Sequence, residues 1–531
     1  MPDRNPAIRN SATYNELLDA VLEMHIYPQD PFHVAALLES MGWNDARVSR
    51  EFGVADIFEL ADLIWEEIQS KVGIQTFSSE EKHSGFALII SMIRSFLRGL
   101  IFAFPMAISI AAMLNLKFSL WSYQYLSLEQ ATSIAIGTIL SFVLVGGFTQ
   151  AIARRGYFYI IQGYYDLARK NTFIFIGIGF LLCTITSVLL VILNGLFNLF
   201  SYEMLFLIVL YFFFLTSIWL SVTVMYILKK EIVFTALIIF GIFLVYLLFV
   251  VLGVNIIVSQ LISLLVVSIC SLLLVLYFFV SAARKTDKDI SKLPRFSITI
   301  YTVWPYFLYG FLYFSFLFID RVNAWSKNED FMPYVIWFRG QYELGLDFAL
   351  LTIIIPMGVC EVVVNRLMFD LESSQKNYLA IETHKLVDKF LGMYKRMTLF
   401  ILISTIISSL IIYQLILWYN DVSIRLNNEN ILESDVTLFV LFWGIVSYAI
   451  LAFSLMNIVI LFALSQPNLV LKAIMPALLV NMTVGFLASR WFDYHFAVFG
   501  LFVGSIVLFY LTTRSVLQVI RNLDYYLYAA S

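Results

Sequence analysis

The sequence predicts an all-α integral membrane protein of about twelve transmembrane helices in two six-helix bundles, preceded by a small soluble helical domain. Three observations carry this. Of 531 residues, 61% are hydrophobic and 13% charged, with mean hydropathy +0.85, against about 45–50% and 25% in soluble globular domains. Residues 171–202, 232–283 and 438–471 contain no Asp, Glu, Lys or Arg, and the last two are each long enough for a pair of spans at about 20 residues apiece. Unbroken apolar runs also exclude a membrane β-barrel, whose strands alternate over about ten residues.

Residues 1–80 read as an acidic, soluble, cytoplasmic helical domain. No basic-then-apolar signal pattern opens the chain. Short amphipathic helices are predicted over Tyr14–His25 and Phe32–Met41, with a stop at Gly42. Asn44 is placed to cap Asp45–Glu51, and Val54–Lys71 follows with apolar positions at Ile57, Leu60, Leu63, Ile64 and Ile68. The stretch WNDARVSREFGVADIFELADLI invites a helix-turn-helix reading. However, residues 1–75 hold thirteen acids and five bases, a balance of −8, and phosphate neutralisation supplies most non-specific DNA affinity. No nucleic-acid partner is expected; docking of a partner protein at the cytoplasmic face is.

Twelve spans follow, near 88–114, 130–152, 172–196, 203–228, 232–252, 256–280, 298–319, 345–366, 397–419, 436–464, 469–488 and 496–516. With the N-terminus cytoplasmic, nineteen Lys and Arg fall in inner connections and the tail. Six fall in outer ones: Lys117, Arg321, Lys327, Arg339, Arg425 and Arg490. The positive-inside rule then puts both termini in the cytoplasm. The charged linker 281–297 divides the spans into a first bundle, 86–280, and a second bundle with cytoplasmic tail, 298–531. A six-plus-six division is what repeat-built transporters show, with cargo handled between the halves.

Covalent chemistry has no visible footing. Cys183, Cys270 and Cys360 lie singly in apolar helices, and there is no HExxH, CxxC, Walker P-loop or GxSxG. No enzyme activity, cofactor or metal is expected. Attention falls instead on charges in apolar surroundings, each of which costs roughly 2.5–3.5 kcal/mol at a bilayer centre. Asp320-Arg321 ends the seventh span beside Trp325; as neighbours the two cannot face one another on a helix, so each needs its own partner, across the bundle at an outer gate, unless the trio is an interfacial anchor. Glu343, Asp347 and Glu361 lie on the next span. Asp347 and Glu361 are fourteen residues apart, about 40° around a continuous helix, so both can face one polar pathway. Pro356 between them frees the carbonyl of Thr352. Arg98, Arg154 and Arg155 are candidates for an anionic contact on the inner side, either anchoring the protein or gripping a lipid phosphate.

The block YGFLYFSFLFIDRVNAW, then YELGLDFALLTIIIPMGVCEVVV, resembles the Pel exopolysaccharide export membrane proteins (the PelG family), similar in turn to the MOP flippase and MATE-like superfamily. The matching positions are Gly310, Tyr313, Ile319, Asp320, Arg321, Trp325, Tyr342, Glu343, Asp347, Ile355, Pro356 and Glu361. Weaker likeness covers SFVLVGGFTQAIARRGYF and the closing RNLDYYLY. The resemblance implies two six-helix bundles around a central cavity, in a bacterial inner-membrane protein that moves a polysaccharide or lipid-linked sugar. It further implies a cytoplasmic glycosyltransferase and small membrane proteins as partners. Arg321 stands where the family usually carries Lys, and the acidic segment 1–80 is outside the usual pattern. Three other classes fit parts of this reading: an ion-coupled small-molecule antiporter, a non-transporting scaffold for a glycosyltransferase, and a membrane glycosyltransferase.

Overall fold

The computed structural model describes residues 12–24, 31–74, 85–284, 295–327, 334–377, 383–427, 430–432 and 434–528. Most of the 281–297 linker expected between the bundles lies outside them. The chain divides into two compact units, Met1–Leu88 and Ile89–Ser531. Among the described residues the only strand-like pairing is an isolated bridge between Phe118 and Tyr123.

The first unit contains α1 (Ala12–Met24), α2 (Pro31–Ser40), α3 (Asp45–Phe52) and α4 (Ile57–Ile74). Tyr14, Leu18, Val21, Leu38, Val48, Ile57, Leu60 and Ile64 form its core, the positions that recur on one face of each helix. Asn44 caps α3 by accepting from the Arg47 amide at 3.0 Å, and Gly53 ends it with φ +69°, a conformation glycine adopts without a Cβ penalty. The last helix starts at Ile57 rather than Val54 because residues 54–56 form its cap. Asp56 accepts from the Glu59 amide at 2.8 Å and Asp45 from the Ile57 amide at 3.0 Å.

The second unit holds α5 (Gly85–Leu116), α6 (Leu128–Ile161), α7 (Tyr165–Phe197), α8 (Tyr202–Ile227), α9 (Glu231–Tyr246, closing in a π-helical turn), α10 (Ile256–Ala283) and α11 (Phe296–Trp325). It continues with α12 (Gly340–Leu350), α13 (Ile354–Asn377), α14 (Thr383–Asn427), α15 (Asp435–Ala463), α16 (Pro467–Trp491), α17 (Val498–Arg521) and α18 (Leu523–Tyr528). Among the described residues eleven spans are long and apolar enough to cross a membrane. The bent α5 makes twelve, with 49° between Ile90–Ile101 and Phe104–Leu116, next to Pro105. This is a multi-pass membrane protein. Several helices outrun their apolar stretch, α14 most of all at 45 residues, because backbone hydrogen bonding continues into the polar flanks where hydropathy has ended.

Two separate cores lie inside this unit. One runs from Phe118 to Val303 in sequence, the other from Tyr309 to Leu523, so α11 belongs to both. It does so by lying antiparallel along α6. Arg154 meets Tyr306, Phe148 meets Phe307, Gly146 meets Gly310, and Phe142 stacks on Phe314 and Phe318. The crossing is so close that a Cβ added at Gly310 would overlap the Gly146 carbonyl oxygen. Small residues permit such backbone contact in a membrane, where packing rather than water expulsion joins helices.

Candidate functional site

One turn of α11 faces one turn of α12, and the sequence spacing explains why. Arg321 and Trp325 are four residues apart on α11, as are Glu343 and Asp347 on α12, so each pair occupies one helix face. The Arg321 Nη2 donates to Asp347 Oδ1 at 3.2 Å. Its Nε lies 3.2 Å from Glu343 Oε2, an ion-pair contact off the hydrogen-bond axis. Trp325 Nε1 donates to the other oxygen of Glu343 at 2.9 Å. Tyr342 Oη donates to Asp320 Oδ2 at 2.9 Å, while Asp320 Oδ1 is buried with no partner among the described residues. Phe318, one turn before Arg321, presents its ring 5.1 Å from the guanidinium carbon.

Asp320 and Arg321 therefore do take separate partners, but both partners lie on α12 of the same half rather than across the bundle. Trp325 is no interfacial anchor: it is 1% exposed and held by Glu343. Arg321 and Glu343 side chains are 7% and 9% exposed, whereas that of Asp347 is 49% exposed. The cluster is thus sealed on three sides and open at Asp347. It sets three carboxyl groups against one guanidinium.

Above the cluster, other cations close the end of α11. Arg490 donates to the Ser326 carbonyl at 2.9 Å and Arg339 to the Lys327 carbonyl at 3.0 Å, while Lys327 itself donates to the Phe492 carbonyl at the end of α16 at 2.6 Å. Cations at a helix C-terminus satisfy its free carbonyls and oppose its dipole.

Glu361 lies elsewhere. Helix α12 stops at Leu350, a 3₁₀ turn covers Leu351–Ile353, and α13 starts at Ile354. A 3₁₀ turn advances about 120° per residue instead of about 100°, so the shared face expected of a continuous helix is lost. Asp347 faces α11, while Glu361 accepts a long hydrogen bond from Tyr226 Oη of the first half at 3.4 Å, and its Cβ would lie 3.2 Å from a Cβ built at Gly99. Pro356 is the third residue of α13 and offers no amide to the Thr352 carbonyl four residues back. The carbonyl it leaves free at Thr352 accepts from Ser408 Oγ of α14 at 2.7 Å.

The three arginines do not converge. Arg98 is 3.9 Å from Glu231. Arg154 donates to Ser465 Oγ at 3.4 Å and lies over Tyr306. Arg155 packs against Phe158 and Tyr159. Together with Glu361, Arg154 marks a polar seam between the halves: Tyr226 to Glu361, Ser95 to Asn365 at 3.1 Å, and Arg154 to Ser465. At the opposite end of α6, Tyr334 donates to Glu129, and Thr132 Oγ1 accepts from the Phe338 amide at 3.0 Å. Tyr226, Ser95, Asn365 and Ser465 were invisible to sequence reasoning, and Tyr342 was marked only by the family resemblance. Only the repeated four-residue spacing of 321/325 and 343/347 pointed to the cluster's geometry.

Solved structures share this arrangement of membrane helices. The chain is similar to the Vibrio cholerae MATE transporter VcmN in its bent form: TM-score 0.54, 14% identity, over 84% of this chain and 100% of that one. It is similar to a MOP superfamily transporter from Pyrococcus furiosus at TM-score 0.55 and 14% identity, over 81% and 96% of the two chains. A eukaryotic MATE transporter, AtDTX14, aligns with TM-score 0.55 and 13% identity over the same shares. At these identities the likeness is one of fold, and the fold is MATE-like. No protein-family model and no curated sequence matches the chain.

Proposed function

We propose that this protein is an inner-membrane transporter that moves an exopolysaccharide, or its lipid-linked precursor, across a bacterial cytoplasmic membrane within a synthesis-and-export complex. One observation carries the reading. Asp320, Arg321, Trp325, Tyr342, Glu343 and Asp347, six of the positions on which the sequence resembles polysaccharide exporters, are the residues that assemble into a single buried cluster. In this reading the halves rock about the α6–α11 crossing, and the seams at its two ends open in turn. Asp347 and Glu361 lie along the polar pathway, and both termini are cytoplasmic. The acidic N-terminal unit docks the cytoplasmic glycosyltransferase.

The test is export in cells carrying Asp347→Asn or Glu361→Gln at wild-type membrane levels. Each is expected to reduce secreted polysaccharide clearly below wild type, since intramembrane carboxylates mark transport pathways. Normal export in both variants would sink the pathway assignment. Co-purification of a glycosyltransferase that is lost on deleting residues 1–75 would support the docking role.

The surplus of carboxyl groups over cations favours a second reading, an ion-coupled small-molecule antiporter. A buried excess of negative charge is stabilised by taking up a proton or a cation. Dye efflux from proteoliposomes driven by a pH or sodium gradient, and abolished by Asp347→Asn, would establish that reading in place of the first.

A further inference from the structure

The arginines expected to meet an anionic group are engaged elsewhere, but another pair is not. Along the last turns of α17 runs a groove of about 450 Å³ lined by Tyr510, Thr513, Arg514, Leu517, Gln518 and Arg521. Their spacing of three and one residues puts all six on one face of the helix. Arg514 and Arg521 are both exposed, and neither guanidinium has an ion-pair, hydrogen-bond or ring partner among the described residues. Seven residues separate them, a rise of about 10.5 Å with an offset of about 20°, so the two forks can converge on one group lying between them.

Their depth identifies that group. Counted from Val498 at about 1.5 Å per residue, Arg514 lies about 24 Å and Arg521 about 34 Å along the axis. A hydrocarbon core is about 30 Å thick, so the pair brackets the layer where lipid phosphates sit. The exposed Tyr525, at 67% just beyond the end of α17, has the placement of an interfacial aromatic. Leu517 lies among the polar lining residues, so the groove offers apolar surface to a chain as well as donors to a head group. Thr513 is already engaged, accepting from Asn457 Nδ2 at 2.9 Å, which fixes that wall.

We propose that this groove binds the phosphate of an anionic membrane lipid, its oxygens held by the forked N–H groups of Arg514 and Arg521. The site is separate from the cluster at Arg321 and does not depend on the nature of the cargo. Basic pockets between membrane helices hold anionic head groups by this chemistry.

The experiment is native mass spectrometry of the full-length protein in neutral detergent, with phosphatidylglycerol, phosphatidylcholine or inorganic phosphate added. Phosphatidylglycerol adducts are expected to exceed phosphatidylcholine adducts about tenfold, the preference two interfacial arginines confer. They should persist against inorganic phosphate. The double variant R514Q/R521Q should fall to the phosphatidylcholine level, and R514K/R521K should retain part of the preference because the charge stays and the fork is lost. Arg154→Gln, whose guanidinium already has partners, should leave it unchanged. Equal binding of the two lipids, or undiminished phosphatidylglycerol binding by R514Q/R521Q, overturns the proposal. Displacement by inorganic phosphate overturns the lipid source and assigns the groove to a soluble phosphate compound.

Discussion

The two halves of the membrane unit bury polar groups by opposite means. In the first half the centrepiece is neutral and saturated. Gln260 is fully buried; its carbonyl accepts from Tyr211 Oη at 2.8 Å, and its amide donates to the Ser119 and Ser122 carbonyls at 3.2 and 2.9 Å. This pins the loop between α5 and α6 to α10 and α8, and nothing in it changes with charge. In the second half the centrepiece is ionic and unbalanced, with Asp320 Oδ1 left over and Asp347 open. A saturated neutral network stabilises one arrangement. An ionic cluster is a weak stabiliser but responds strongly when a charge is added or removed. From this asymmetry the first half is expected to respond less, and the second half more, to a change of charge.

The comparison breaks most visibly at Arg321. Arg321→Gln leaves Glu343 buried beside two further carboxyl groups and is expected to cost about 3–5 kcal/mol, read as a lowered midpoint of thermal unfolding in detergent. Gln260→Leu strands two carbonyls and a tyrosine hydroxyl at an expected cost of about 1–3 kcal/mol. If the neutral substitution proves the more damaging, the assignment of less and more responsive halves is reversed.

Next in size is the line where the halves meet. Gly310→Val forces a side chain onto the Gly146 backbone and should cost about 1–3 kcal/mol as overpacking. It should also abolish disulfide cross-linking between cysteines placed at 142 and 318. Gly177→Ala, with open space around it, is the matched control and should leave both readouts within about 0.5 kcal/mol of wild type.

The smallest effect is expected at the polar seam. The bond from Tyr226 to Glu361 is long at 3.4 Å, so Tyr226→Phe should cost less than about 1 kcal/mol. Its signature is a faster reaction of a cysteine introduced at Ser95 with a water-soluble maleimide, at unchanged unfolding temperature. An unaltered rate would show that the seam does not hold the halves together.

Much of this was legible beforehand because it depends on local pattern. Asn44 and Gly42 punctuate the first unit as their capping chemistry requires, and every expected span has a helix over it. The need of Asp320 and Arg321 for separate partners followed from helix geometry, as did the freed carbonyl of Thr352. Other expectations failed where a single turn changed phase. Three residues of 3₁₀ helix at 351–353 turned Glu361 away from Asp347, and no residue type there announces such a turn. The two readings of Trp325 stayed open because an aromatic near a helix end reads the same whether it meets lipid head groups or a buried carboxylate.

Composition, hydropathy and charge placement were sufficient for membrane residence, all-helical structure and the number of spans, since each is set by the chain's exchange with water and lipid over twenty residues at a time. Which charges meet was decided by packing. Arg321 could have reached across the bundle or into its own half, and the choice of Glu343 and Asp347 came from the contact of α11 with α12. The same holds for the seam at Glu361 and for the two arginines of α17 that have no partner among the described residues. Contacts between residues distant in sequence depend on how helices cross, and crossing is set by close fits such as Gly146 against Gly310 that no local pattern encodes.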